Sequence, residues 1–111
     1  MTLQPLRSGS NSLRTLSHEL SSASFALDAA LRSEDAREDR VRDAREALEA
    51  FQLVERTPDQ FAVPRKVRRR VEWALTELER GNLELADSDV RWAGGIFEKA
   101  VVEYYRRRYQ D

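Results

Sequence analysis

The stretch PRKVRRRVEWALTELERGNLELADSDVRWAGGIF, residues 64–97, decides the fold. Proline suits a helix start, because the N–H it lacks would have no partner in the first turn. After Pro64, the residues Val67, Val71, Ala74, Leu75 and Leu78 lie within about 100° of one another at helical pitch. Gly81 and Asn82 end that helix and start the next. Leu83, Ala86, Val90, Ala93 and Phe97 continue the three/four spacing, and Ala100 and Tyr104 extend it toward residue ~108. Two amphipathic helices joined by so short a break fold back on each other as an antiparallel hairpin. Gly94 and Gly95 weaken the middle of the second helix by up to ~1 kcal/mol each relative to Ala. Gly94 falls near the core side, which predicts either close approach of a neighbouring helix or a kink.

A second hairpin precedes the first in sequence. Leu13, Leu16, Leu20, Ala23, Leu27 and Ala30 form a narrow stripe, predicting a helix over 11–32 capped by Ser10 or Asn11. Ser33 reads as the N-cap of a helix over 34–56, with Glu34 and Asp35 at its positive end. Val41, Ala44, Leu48 and Phe51 supply its apolar stripe. Thr57-Pro58-Asp59-Gln60 predicts a short turn of helix, with Phe61 and Val63 tucked under the bundle. Residues 1–10, with Pro5 and Gly9, read as a flexible arm, and 11–109 as one domain. The expected class is all-α, an antiparallel up-down-up-down four-helix bundle of two helical hairpins. A dimer of hairpins fits the same pattern.

Composition narrows the function classes. At 111 residues the chain has room for one ordinary domain. It has no cysteine and one histidine, so thiolate zinc, a disulfide framework, a cysteine nucleophile and poly-histidine metal sites are excluded. Glu34-Asp35 and Glu38-Asp39 have no neighbouring histidine and read as solvated carboxylates. No metal, cofactor or small-molecule substrate is implied, and no enzyme signature is present. No apolar run approaches the ~20 residues of a membrane-spanning helix, and the first residues lack the pattern of a secretory signal. A cytoplasmic protein with no membrane partner is the expectation.

The formal net charge of −1 hides an alternation. Residues 1–20, 21–50, 51–72, 73–98 and 99–111 carry +1, −3, +3, −4 and +2. In an up-down-up-down bundle this predicts a basic pole of Arg7, Arg14, Arg56, Arg65, Lys66, Arg68, Arg69, Arg70, Arg106, Arg107 and Arg108. The opposite pole is expected to hold Glu34, Asp35, Glu38, Asp39, Glu77, Glu79, Glu84 and Asp87. Arg106 to Arg108 complement the C-terminal end of their helix, whereas the five cations of 65–70 oppose the dipole at the start of theirs. They read either as an ordinary solvated face or as a surface for an anionic partner, which would account for their placement.

Trp73 lies roughly 140° from the apolar face of its helix. Arg69 precedes it by a turn and Glu77 follows by a turn. Trp92 is placed similarly, with Leu85 and Ile96 forming a second apolar stripe. Either a wide core buries both faces, or the indoles mark an interface, since Trp and Arg dominate binding hot spots. The second alternative defines a surface of Arg65, Lys66, Arg69, Trp73, Arg80, Leu85, Trp92 and Ile96. It would make this chain a non-enzymatic interaction or adaptor protein that binds an acidic protein or itself as a homodimer. A nucleic-acid-binding regulator is the first alternative, with Arg68, Arg69, Arg70, Arg106, Arg107 and Arg108 as the contacts. Tyr104, Tyr105 and Tyr109 interleave with the last three of these; they read as rings packed under the bundle, or as platforms for bases.

His18 falls on the polar side of the first helix. The four residues Ser17-His18-Glu19-Leu20 resemble the phosphoacceptor box of sensor histidine kinases. That resemblance implies phosphotransfer through His18, the second alternative. Ser21-Ser22-Ala23 stands where that box usually continues with an Arg-Thr-Pro-like sequence. Gly81, Ala86, Val90 and Ala93 resemble the second-helix spacing of a tetratricopeptide repeat over one hairpin, without a second copy.

Overall fold

The computed structural model describes residues 12–54 and 61–110. Four helices follow one another: α1 (Ser12–Arg32), α2 (Arg37–Leu53), α3 (Arg65–Glu79) and α4 (Leu83–Gln110). There is no strand among the described residues. α1 packs along α2, α3 along α4, and α1 along α4; α2 and α3 touch more lightly. The two hairpins thus close into a four-helix bundle, as the periodicity predicts. The expected arm at 1–10, Arg7, the caps at Ser10 and Asn11, Arg56 and the helical turn at 57–60 lie outside the described residues.

The predicted stripes become the core. Leu16, Leu20, Ala23 and Leu27 of α1 share the core with Ala44, Leu48 and Phe51 of α2, and Ala30 is buried as well. Val67, Val71, Ala74 and Leu78 of α3 meet Ala86, Val90, Ala93 and Phe97 of α4. Each fully buried Leu, Val or Phe contributes about 1.5–3 kcal/mol relative to exposure. The core is joined lengthwise by edge-on aromatic contacts. Phe97 meets Phe51 at 5.8 Å and Phe61 at 5.9 Å between centroids, and Phe61 meets Tyr104 at 5.4 Å. Phe61 is buried and Val63 packs against the core, so the end of the connection between the hairpins is anchored.

The α3–α4 turn follows from one glycine. Gly81 has φ +79, a left-handed conformation that costs a side chain energy. Its N–H donates to Leu78 O at 3.1 Å, and Asn82 N–H donates to Glu77 O at 2.9 Å. This is a Schellman closure, satisfying carbonyls the helix end would leave orphaned.

Three expectations require correction. Ser33 does not cap α2, which begins three residues later than predicted. Its hydroxyl instead accepts from Asp35 N–H at 3.0 Å, closing a turn that leaves Glu34 and Asp35 outside the helix. The residue before α2 is Ala36 at φ 56, and Arg37 Nε donates to Ala30 O at 2.8 Å, tying that turn to the end of α1. The second correction is that α2 ends at Leu53, where Val54 turns extended at ψ 107. The third concerns Gly94. A Cβ built there or on Gly95 meets nothing within 4 Å, so among the described residues the pair does not admit a close-packed helix. α4 runs through both glycines unbroken.

Candidate interaction site

α3 and α4 run antiparallel, so a residue one turn before Trp73 faces a residue near Trp92. Arg70 and Trp73 are three residues apart on α3, and Asp89 and Trp92 three apart on α4; such neighbours share a helix face. The hairpin brings these four side chains together. The Arg70 guanidinium lies 4.2 Å from the Trp92 ring centroid and 5.0 Å from that of Trp73. Its Nη1 donates to Asp89 Oδ1 at 3.1 Å. Each indole presents electron density to the cation, and partial desolvation strengthens the attraction. Asp89 is only 14% exposed, so it needs this counter-charge.

The indoles remain open to solvent, Trp73 at 49% and Trp92 at 38%. Neither indole belongs to the buried core cluster or to the hydrophobics packed against it, as the interface alternative requires. Two large apolar surfaces are held outward by a shared cation. Leu85 is also exposed, whereas Ile96 is half-buried against the core. Arg65, Lys66, Arg69 and Arg80 are exposed and make no ion pair among the described residues.

The sequence places Arg69 beside Trp73, but Arg70 is the residue in contact. Arg69 points to solvent. Arg70 turns inward because Asp89 and Trp92 supply charge and a ring on that side. Asp89 was not singled out by sequence reasoning. Its signal lay in register: the two-residue break fixes which turn of α4 faces which turn of α3.

Arg68 behaves differently again. It reaches the C-terminus of α2, which has no basic residue in its own last turn. Its Nη1 donates to Phe51 O at 3.5 Å, Gln52 O at 3.4 Å and Gln52 Oε1 at 3.2 Å, and its Nη2 donates to Val54 O. The guanidinium also lies 5.7 Å from the Phe51 ring centroid. A cation that is unfavourable for the dipole of α3 is therefore favourable for the dipole of α2. Arg68 and Arg70 thus have partners in the fold, so neither a solvated face nor an external anion is needed to account for these two of the five cations.

The C-terminal arginines lean on their own helix. Arg106 and Arg107 lie 3.7 Å from Glu103 carboxylate oxygens, and Arg108 Nη1 donates to Tyr104 Oη at 2.9 Å. Tyr105 stacks on Tyr109, centroids 6.2 Å apart. His18 is exposed, with its Nε2 3.3 Å from Ser22 Oγ. No group of His, Asp or Glu among the described residues could hold a metal ion. No helix among them is long and apolar enough to cross a membrane.

No known family, curated protein or solved structure matches this chain. Its functional reading therefore rests on the geometry above.

Proposed function

We propose that this chain is a non-enzymatic helical-bundle interaction protein that binds an acidic protein partner through the α3–α4 surface. The observation carrying this reading is the pair of solvent-facing indoles held by Arg70. Trp and Arg supply most hot-spot energy at interfaces, and a side chain already fixed in place loses less entropy on binding. Trp73, Trp92 and Leu85 supply apolar area. Arg65, Lys66, Arg69 and Arg80 are uncommitted cations around it, suited to steering and orienting an acidic surface. An amphipathic helix with acidic flanks fits this chemistry.

The test uses a synthetic amphipathic helical peptide with Glu on its flanks and Leu and Phe on its face. Titration should shift and quench Trp fluorescence in a salt-sensitive manner. Trp73→Ala should weaken binding at least ~10-fold, a loss of about 1.4 kcal/mol. Arg69→Glu should lower the association rate. Duplex DNA at low salt serves as the second probe. Tight DNA binding lost with Arg69→Glu, alongside indifference to the peptide, would replace this reading with the nucleic-acid one.

A further inference from the structure

α4 carries a third stripe, on the flank opposite the tryptophans. Arg91, Gly95, Glu98, Val102, Tyr105 and Tyr109 recur at spacings of three and four, centred roughly 125° from the core face. All six are exposed. Along part of this flank an open groove of about 370 Å³ runs between α1 and α4. Leu20, Val90 and Phe97 line it from the core, Ser17, Ser21 and Ser24 from α1, and Gly94 and Gly95 from α4. Phe25, one turn beyond Ser21 on α1, is 70% exposed.

Nothing among the described residues explains the glycines. Each costs the helix up to ~1 kcal/mol relative to Ala, yet each faces open space. The charges flanking them are antisymmetric. Arg91 and Glu98 stand at equal distances on either side of the Gly94–Gly95 bond, one cationic and one anionic. Glu98 makes no ion pair among the described residues. Arg91 directs Nε to Asp87 at 3.0 Å and Nη2 to Asp28 at 3.6 Å, which leaves Nη1 for a further acceptor. An arrangement that maps onto its own complement by a half-turn is what a twofold interface requires.

We propose that a second copy of this chain docks on the α1–α4 face. The two α4 helices cross antiparallel about a dyad at Gly94–Gly95. Arg91 of each protomer pairs with Glu98 of the other. The glycines permit an approach closer than the usual ~8–10 Å between helix axes. The same register carries Val102 of one protomer toward Phe25 of the other, covering apolar surface that is otherwise exposed. This dimer leaves Trp73 and Trp92 facing solvent, so it stands independently of the reading given for the α3–α4 surface.

Sedimentation equilibrium provides the test. The 12.9 kDa protomer should sediment as a dimer at ~100 µM, well above the dissociation constant of a micromolar complex. Glu98→Arg opposes like charges and should weaken the dimer at least ~10-fold. Gly95→Leu should abolish it while raising the melting temperature of the protomer, because the added side chain enters open space on a helix. Equimolar Glu98→Arg and Arg91→Glu should form a heterodimer, since the mixture restores both ion pairs; circular dichroism verifies each fold. A wild type that remains monomeric overturns the proposal. So does a dimer that withstands both Glu98→Arg and Gly95→Leu but dissolves on Trp73→Ala, which would move self-association to the other flank.

Discussion

The two flanks of α4 use opposite means of presenting a surface. On the α3 side, large side chains are locked: Arg70 bridges two indoles and satisfies Asp89. On the α1 side, side chains are missing at Gly94 and Gly95, and the groove above them is open. The first flank packs its cation against its own indoles and presents their remaining apolar area. The second leaves open space above the glycines. A bundle helix buries only one stripe, so the remaining arc of α4 is available for both solutions without changing the core.

The comparison breaks most severely at the element beneath both flanks. Phe97 is buried, touches Phe51 and Phe61, and borders the α1–α4 groove. Phe97→Ala should cost ~3–5 kcal/mol by urea unfolding, and lose both surfaces together. A cost below ~1 kcal/mol would contradict the core described here.

Next in size is the lock itself. Arg70→Ala leaves Asp89 sheltered without its counter-charge and frees both indoles. A loss of about 1–3 kcal/mol is expected, with increased quenching of Trp fluorescence by acrylamide. The neighbouring substitution Arg69→Ala should change stability by less than ~0.5 kcal/mol, because Arg69 is exposed and unpaired among the described residues. That contrast between adjacent arginines separates a specific clamp from general charge density.

Arg68→Ala should cost ~1–2 kcal/mol through loss of the hydrogen bonds closing α2, and speed amide exchange at residues 51–54. On the open flank, Gly95→Ala should raise stability by about 0.5–1 kcal/mol. A destabilisation instead would mean that the glycine conformation or close packing matters within the protomer.

The helices and their core faces were legible in the sequence because apolar spacing and the Gly81-Asn82 break are local signals. The same wheel put Trp73 and Trp92 away from the core faces, but left open whether a wide core would cover them. Which arginine would meet them did not follow from it, because Arg69 and Arg70 both lie within a turn of Trp73. Only the α4 partners Asp89 and Trp92 select between the two. Arg68 was illegible for a related reason: its acceptors are backbone carbonyls of α2, distant in sequence. Ser33 misled because a hydroxyl able to cap a helix can equally close the preceding turn.

The central claim is that Arg70 is held between two indoles that face water. Proton NMR of the side chain tests it most directly. The account predicts Arg70 δ- and γ-proton resonances shifted upfield by the rings, with NOEs from Arg70 to both Trp73 and Trp92. Arg70 protons at the positions of a solvated arginine, with no contact to either indole, would contradict it.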